Sequence, residues 1–379
     1  MNVLFEQLLY RINSNKTVGS WAIAVTENND GSANILTTQT KLIGGKGVES
    51  VTTVSEGKNM GKKNETTSLE QAVINAKATA DKKLKKGYLL DVPSGEEQVT
   101  NSLGLLKPML AQTIEKVKNW EFPVFASPKL DGHRLLATVQ ENKVLLYSRQ
   151  GTVVSLPHIE KELQQLFDDK IWSGVTLDGE VYLHEESLQI IGSLVKNTQP
   201  ETANLKYYLY DVIDNQHPYK QRLSYLEQIA SNTLEALVVI KTEVLSDIQE
   251  VNLFHSNALS DGYEGSMLRW SSASYEDGKR SKFLMKKKDF QDAEFKVVDV
   301  IAGKTVTRNG NTYELPIYVC ATAQGEKFNC VAAGTLQDKH QAWLDKTQAI
   351  GKQLTVKFFN YTDNNIPFLP VALRLRNDI

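Results

Sequence analysis

The segment PVFASPKLDGHRLLATV, residues 123–139, places Lys129, Asp131 and Arg134 inside an otherwise apolar run. Burying a charge is unfavourable unless the charge is paired or used in chemistry, so these three side chains require a partner or a ligand. A lysine is a nucleophile only when it is deprotonated, and nearby positive charge such as that of Arg134 lowers its pKa. Gly132 relaxes the backbone beside them, which helps a large ligand to approach.

The chain has 379 residues, enough for two or three domains with a substantial core. The sequence has no apolar run long enough to span a membrane, and its N-terminus lacks the basic start and small-residue cleavage site of a signal peptide. Two cysteines, Cys320 and Cys330, are too few for a disulfide framework or a thiolate zinc site. We therefore expect a soluble cytoplasmic protein with reduced thiols and no membrane association.

Residues 1–92 are predicted to form a small α+β module. The stretches SWAIAV and SANILTTQTKLI resemble strands, and residues 68–87 carry helix signals, with Ser68 and Gln71 as a capping box and Gly87 as the residue after the C-cap. Between Lys41 and Asp91 the segment contains 10 lysines and 6 carboxylates, a local net charge of 10 − 6 = +4. The helix lysines form either a solvated face or a nucleic-acid surface.

The rest of the chain divides by composition. Residues 93–104 resemble a linker, and residues 105–290 alternate strand-like with helix-like runs, including helix-like stretches at 157–169 and 225–237, which predicts an α/β or α+β domain. From residue 291 to 379, short strands with few helix signals predict a small β-barrel. Cys320 and Cys330 flank the turn AQGEK symmetrically, so we expect them to be cross-strand neighbours.

Five further motifs follow the lysine segment: YSRQG at 147–151, LDGEVY at 177–182, YYLYD at 207–211, YEGSMLRW at 263–270 and FLMKKK at 283–288. Each alone is weak, since an Asp-Gly pair is usually a turn. Together and in this order they resemble the covalent nucleotidyltransferase superfamily of ATP-dependent ligases and mRNA-capping enzymes, whose nucleophile motif is K-x-D-G-x-R. The resemblance covers about residues 105–379. It implies an α+β multidomain protein with an ATP-grasp-like nucleotidyltransferase core and a C-terminal OB-fold β-barrel.

The resemblance also assigns roles position by position. It implies that ATP and Mg²⁺ are used, that Lys129 becomes linked to AMP, and that Asp131 and Arg134 act beside it. The remaining matches are Arg149 for a phosphate contact, Glu180 for the ribose, Tyr210 for stacking on the base, Glu264 for the metal together with Asp131, and Lys286 and Lys288 for the α-phosphate.

These residue types suit phosphoryl transfer, which depends on positioning and charge neutralisation. Lys286, Lys288 and a magnesium ion at Glu264 would disperse charge on the α-phosphate and depress the pKa of Lys129. Strand alternation places Lys286 and Lys288 on one face and Lys287 on the other.

The C-terminal sequence resembles the end of a DNA-ligase OB domain, which closes with R-x-D-K. Arg376 and Asp378 fit this motif, with Arg376 as a residue that would orient the leaving pyrophosphate, but Ile379 stands where lysine is usual. The resemblance implies a monomeric ATP-dependent DNA ligase that seals 5′-phosphate/3′-hydroxyl nicks in double-stranded DNA through lysyl-AMP and an adenylylated DNA 5′ end. The alternatives are a capping guanylyltransferase, an RNA ligase, or a DNA-binding scaffold with an inactive core. An NAD-dependent ligase is disfavoured, because its zinc module needs four cysteines.

The N-terminal module weakly resembles WGR-type DNA-binding domains through QTKLIGGKG at residues 39–47, although the Trp-Gly-Arg triplet is absent. This resemblance implies a duplex-binding surface that acts mainly on phosphates. Its candidate residues are Lys41, Lys46, Lys58, Lys62 and Lys63.

Overall fold

The structure is a computed structural model that describes residues 3–13, 17–93, 101, 103–172, 174–230, 234–308, 310–362 and 364–376. The strands are β1 Val3–Ile12, β2 Val18–Glu27, β3 Ala33–Thr40, β4 Gly47–Val54, β5 Leu110–Thr113, β6 Val124–Lys129, β7 His133–Gln140, β8 Lys143–Ser148, β9 Val153–Val154, β10 Leu177–Tyr182, β11 Lys206–Val212, β12 Leu237–Val239, β13 Glu243–Leu245, β14 Gly265–Trp270, β15 Arg280–Lys287, β16 Gln291–Arg308, β17 Asn311–Ala321, β18 Lys327–Val331, β19 Gln353–Phe358 and β20 Val371–Leu375. The α-helices are α1 Ser68–Lys85, α2 Pro157–Phe167, α3 Leu188–Lys196, α4 Tyr219–Ala230, α5 Ile248–Ser260, α6 Leu336–Leu344 and α7 Lys346–Ala349.

The chain divides into two compact units. Unit 1 comprises Met1–Glu97 and Phe290–Ile379, and unit 2 comprises Gln98–Asp289. The four-part division expected from the sequence stays a prediction, and most of its linker, residues 94–100 and 102, lies outside the described residues.

Unit 1 contains a nine-stranded sheet in the order β1-β2-β3-β4-β16-β17-β18-β20-β19. An additional pairing of β16 with β19 closes β16 to β20 into a five-stranded barrel, the arrangement of an OB-fold. The other end of β16 pairs with β4, where Val306 lies opposite Ser50. One long strand therefore belongs both to the barrel and to the sheet of the N-terminal segment.

Helix α1 packs on the N-terminal strands through Ala72, Ala76 and Ala80, which are fully buried because four-residue spacing places them on one helix face. The predicted capping box was one residue out of register. Thr67 is the N-cap, and its side chain and that of Glu70 form the reciprocal bonds, so Ser68 is the first helical residue. Gly87 has a positive φ of 83°, as expected for the residue after the C-cap.

Three further expectations from the sequence need correction. The predicted helix at 225–237 begins earlier, at Tyr219, and Leu237 starts β12 instead. The barrel segment also contains α6, which begins with a capping box between Thr335 and Asp338. The symmetric register proposed for the two cysteines is wrong, because Cys320 pairs with Phe328 and Cys330 pairs with Tyr318.

The two thiols are nevertheless buried and free, so the expectation of reduced cysteines agrees with the structure. Burial raises the pKa of each thiol to about 12.

Unit 2 is built on two sheets. A six-stranded sheet runs β12-β11-β10-β7-β8-β9, and a five-stranded sheet runs β13-β6-β14-β15-β5. Most pairs are antiparallel, with parallel pairs at β11–β12 and β15–β5. The chain crosses from the second sheet to the first between Lys129 in β6 and His133 in β7, so the lysine motif lies where the two sheets meet.

No helix in the described part of the chain combines the length and the apolar character needed to span a membrane.

Candidate active site

Lys129 is the last residue of β6, and strand pairing places it beside the carboxylate of Glu264. Lys129 lies opposite Gly265 in β14, and the backbone N–H of Glu264 donates to the carbonyl of Lys129 at 3.0 Å. The Nζ atom of Lys129 contacts Oε2 of Glu264 in an ion pair and donates to the carbonyl of Leu130 at 3.2 Å. Residues 135 positions apart in the sequence are therefore brought together by the strand pairing itself.

The pKa of Lys129 lies below its ordinary value, and burial is the main cause. The carboxylates of Glu180 and Asp131 oppose the shift, and the positive charge of Arg134 adds to it. From the sequence, neighbouring cations alone are expected to lower this pKa. The structure corrects this, because removing the ammonium from water acts more strongly than any single charged neighbour.

A cavity of about 220 Å³ lies against Lys129. Its walls bring together five of the residues selected from the sequence, namely Lys129, Arg134, Glu180, Tyr210 and Lys286. They come from β6, β7, β10, β11 and β15, so both sheets of unit 2 contribute to the cavity.

Glu180 is fixed to the turn that follows Lys129. The backbone N–H of Gly132 donates to Oε1 of Glu180 at 3.1 Å. A Cβ atom at position 132 would lie 2.4 Å from the carbonyl oxygen of Val181, so glycine is required for the close approach of β10. This differs from the expected role of Gly132 in admitting a ligand. Burial raises the pKa of Glu180, and the charges of Lys129 and Arg134 oppose that shift.

Arg134 is held by Asp178, which the sequence analysis missed. Its Nε and Nη2 atoms donate to the two oxygens of Asp178 at 2.9 and 2.5 Å, a bidentate pair with little freedom to turn. Asp178 is 1% exposed and also accepts a hydrogen bond from the Tyr275 hydroxyl at 2.6 Å. The sequence does contain a signal for Asp178. It is a carboxylate two residues before Glu180 in an apolar strand, so strand alternation places both side chains on the same face.

Two arginines contact the ring of Tyr210. The Cζ atom of Arg134 lies 5.6 Å from the ring centroid, and that of Arg269, which the sequence analysis also missed, lies 5.3 Å from it. Arg269 is 3.6 Å from an oxygen of Asp211, and Arg222 donates to both oxygens of Asp211 at 2.7 and 3.2 Å. Because Arg222 is fully buried, this network fixes the position of the residue next to Tyr210 in β11.

Lys286 and Lys288 both approach Lys129. Lys286 lines the cavity, and its pKa is lowered first by burial and then by the charge of Lys129. The Nζ atom of Lys288 contacts Oε1 of Glu264, so the Glu264 carboxylate lies between two ammonium groups. Burial, followed by the charge of Lys129, lowers the pKa of Lys288 to about 8.

The residues proposed for magnesium are Glu264 and Asp131. Asp131 lies in the turn after β6, near enough for its charge to act on Lys129, Glu180 and Lys288. The described residues include no group of three or more His, Cys, Asp or Glu side chains that could hold a metal ion. Magnesium needs only one or two carboxylates when substrate phosphates and waters complete its shell, so two carboxylates are enough in number. Both oxygens of Glu264 contact ammonium groups here, so an ion that arrives with a nucleotide would take the place of one of these contacts.

The two remaining arginines are not among the residues that line the cavity. Arg149 follows β8 in a turn, and its pKa is lowered first by burial and then by the charges of Arg134 and Arg280. Arg376 belongs to unit 1, where its guanidinium pairs with Glu294 and its backbone N–H donates to Gln353 at 2.8 Å. Asp378 and Ile379 of the closing motif lie outside the described residues.

The five lysines proposed for duplex binding are all exposed, but they form two groups. Lys41 and Lys46 lie in the turn before β4, whereas Lys58, Lys62 and Lys63 lie in the loop after it. Strand β4 lies between the two groups; it has 8 residues, a length of about 26 Å at ~3.3 Å per residue. On α1, Lys83 is not part of a solvated face, because its ammonium lies 4.8 Å from the centroid of the Trp21 ring.

Comparison with known proteins agrees with this geometry. Residues 108–288 match the family model described as the ATP dependent DNA ligase domain. The DNA ligase of African swine fever virus (isolate Pig/Kenya/KEN-50/1950) is 28% identical over 357 residues, covering 88% of this chain and 81% of that protein. The DNA ligase of Enterobacteria phage T4 is 26% identical over 331 residues, covering 69% of this chain and 66% of that protein.

The viral alignment extends beyond the matched domain. Its unmatched 12% of 379 residues is about 45 residues, so at least part of residues 1–92 is aligned as well.

Two solved structures share the fold. A structure from an analysis of Lig E DNA ligases aligns with a TM-score of 0.57 at 22% identity, covering 71% of this chain and 99% of that chain. The structure named Pmar-Lig_Pre aligns with a TM-score of 0.62 at 19% identity, covering 72% of this chain and 68% of that chain.

The match to the family model spans the segment from before Lys129 to Lys288. Residues 108–288 therefore form a domain of the ATP-dependent DNA ligase type, and the chain is similar to viral and phage DNA ligases over most of its length.

Proposed function

We propose that Lys129 is the nucleophile that carries AMP while this ligase seals 5′-phosphate/3′-hydroxyl nicks in duplex DNA. The observation that supports this most directly is the position of its ammonium, at the wall of a cavity shared with Glu180, Tyr210 and Lys286. Burial lowers the pKa of Lys129, which favours the neutral amine that nucleophilic attack requires.

In the first step, a proton leaves Nζ of Lys129, and Oε2 of Glu264 is the acceptor in contact with it. The amine then forms a nitrogen–phosphorus bond with the α-phosphate of ATP while the bond to the bridging oxygen of pyrophosphate breaks. In the second step, the DNA 5′-phosphate displaces Lys129 from AMP. In the third, the 3′-hydroxyl attacks the adenylylated 5′-phosphate and AMP leaves.

The neighbouring side chains supply positioning and charge. Lys286 and Lys288 would neutralise the α-phosphate, and Tyr210, whose ring contacts Arg134, would stack on the adenine. Glu180 would accept hydrogen bonds from the ribose. Magnesium, held through Glu264 and Asp131, would supply further positive charge to the phosphates.

The substrate is nicked double-stranded DNA of the kind that replication, repair and recombination produce. Lys41 with Lys46, and Lys58 with Lys62 and Lys63, would contact its phosphates from two positions in a WGR-like N-terminal module. Arg149 would contact phosphate, and Arg376 would orient pyrophosphate. We expect the protein to work as a monomer in the cytoplasm.

The test is covalent labelling with α-labelled ATP followed by a denaturing gel. Wild type and the exposed-surface control Lys161→Ala should label, and Lys129→Ala should not. Lys129→Arg should also fail, because a guanidinium stays protonated. Label retained in either Lys129 variant would place the nucleophile elsewhere.

A further inference from the structure

A second groove, of about 570 Å³, lies in unit 2 beside the segment that leads into β6. It combines three lysines with three aromatic side chains, and these are Lys116, Lys118, Lys282, Trp120, Trp270 and Phe283. None of them was selected from the sequence, and none lines the cavity at Lys129.

The charge of the groove favours an anionic ligand. Lys116, Lys118 and Lys282 are exposed. Glu121 is the one carboxylate among the residues lining the groove, and it accepts a hydrogen bond from Ser272 at 2.8 Å. Three positive charges against one negative charge leave the lining with a net charge of 3 − 1 = +2.

The aromatic residues favour a ligand with flat rings. Trp120 is half-buried and stacks on Phe122 with 5.3 Å between ring centroids and 7° between their planes, which holds the indole in one orientation. Trp270 is 8% exposed, and its Nε1 atom has no hydrogen-bond partner among the described residues.

We propose that this groove binds an unpaired DNA strand, with bases stacking on Trp120 and phosphates contacting Lys116, Lys118 and Lys282. Cations interleaved with aromatic rings match the alternation of phosphate and base along a single strand. A duplex presents its phosphates but keeps its bases stacked on one another, so it cannot use the indole face. The site would hold a flap or single-stranded end of the substrate.

The groove is near the reaction site without being part of it. Val124 pairs with Trp270 at one end of β6, and Lys129 pairs with Gly265 at the other. The two ends are five residues apart, about 17 Å at ~3.3 Å per residue. Binding here therefore does not depend on the roles assigned around Lys129.

The experiment measures binding of a fluorescent oligothymidylate and of a fluorescent duplex hairpin to the full chain at several salt concentrations. The triple variant Lys116→Ala/Lys118→Ala/Lys282→Ala should bind oligothymidylate more weakly. Its slope of log affinity against log salt should be shallower by about 2, because each single-strand phosphate contact contributes roughly 0.7. The matched control removes Lys143, Lys161 and Lys206, which are exposed elsewhere in unit 2, and should leave the slope unchanged.

A second pair of variants tests stacking. Trp120→Ala should weaken oligothymidylate binding at least about fivefold, whereas Trp120→Phe should retain most of the affinity, because a ring face remains. Labelling of Lys129 by ATP should persist in all of these variants, which separates this proposal from the mechanism above.

Three outcomes would overturn the proposal. One is an unchanged salt slope in the triple lysine variant. Another is an equal loss for hairpin and oligothymidylate, which would make the lysines duplex contacts. The third is that polyglutamate displaces the fluorescent oligothymidylate as well as unlabelled oligothymidylate does, and that Trp120→Ala has no effect on binding. That result would indicate an acidic protein segment as the ligand.

Discussion

Glu264 receives the Lys129 ammonium on one carboxylate oxygen, and the backbone N–H of Glu264 donates to the carbonyl of Lys129 at 3.0 Å. The two residues are therefore connected through both backbone and side chain. Glu264 is 3% exposed at its side chain, so little solvent competes for its oxygens. A change at Glu264 should act on the chemistry at Lys129 more than on substrate affinity.

Glu264→Gln should slow the labelling of Lys129 by ATP at least about 100-fold. This is the lower end of the rate contribution usually made by a positioned proton acceptor. Removing the negative charge should also lower the pKa of Lys129 further, so the rising limb of the pH–rate profile should move to lower pH. Single-turnover labelling across a pH series measures both effects. The exposed control Glu186→Gln should resemble wild type, and a Glu264→Gln enzyme that labels at the wild-type rate would remove Glu264 from the mechanism.

Lys288 should impose an upper pH limit on the first step. Its pKa of about 8 means that it is charged below that pH and loses its charge as the pH rises through it. If its charge neutralises the α-phosphate, labelling of Lys129 should decline above about pH 8. Lys288→Arg should remove the decline, because a guanidinium keeps its proton, whereas Lys287→Arg should preserve it. A wild-type rate that keeps rising with pH through this range would contradict the assignment.

The same shift has a consequence for stability. The folded state holds Lys288 at a pKa of about 8, below the ordinary lysine value of 10.5, so between these two pH values the unfolded chain binds more protons. Stability therefore rises with pH across that window, as Lys288 becomes neutral in the folded protein. Chemical denaturation across this pH range measures the free energy of unfolding, which should rise less with pH in Lys288→Met than in wild type. An identical rise in both proteins would show that another group carries the pKa shift.

Tyr210 should matter for its ring and not for its hydroxyl. Stacking of a base on an aromatic ring is worth roughly 1–3 kcal/mol, so Tyr210→Ala should raise the KM for ATP by about 5- to 150-fold. Tyr210→Phe should stay near wild type. Tyr225→Ala, a half-buried tyrosine on α4, controls for loss of a ring elsewhere. Equal losses in the Ala and Phe variants of Tyr210 would make the hydroxyl the important group.

The two lysine groups flanking β4 should be separable in DNA binding. Deleting residues 1–92 would strip β4 from β16 and expose a strand edge, so substitution is the better test. If the groups contact duplex phosphates, the log–log salt slope should become shallower by about 2.7 for Lys58, Lys62 and Lys63→Ala and by about 1.8 for Lys41 and Lys46→Ala. Nick-binding titrations at several salt concentrations measure these slopes. Unchanged slopes in both variants would make the lysines a solvated surface only.

The sequence by itself determined the local setting of Lys129, the proposed nucleophile. Lys129, Asp131 and Arg134 stand within six positions, and the spacing of Lys286 and Lys288 follows from strand alternation, so local geometry suffices to group them. The barrel was also predictable, because several short strands with turn signals have few other ways to bury their apolar faces.

Only the tertiary structure decided which distant residues complete the site. Asp178, Arg269 and Arg222 act through partners far away in sequence, and nothing in their immediate surroundings specifies those partners. The strand register was also decided by the tertiary structure. Cys320 pairs with Phe328, two residues away from the Cys330 partner that the symmetric turn suggested. The pairing of β4 with β16 joins residues more than 250 positions apart. Such choices depend on how whole faces pack, because a strand's hydrogen-bonding groups can pair with almost any partner until side-chain packing selects one.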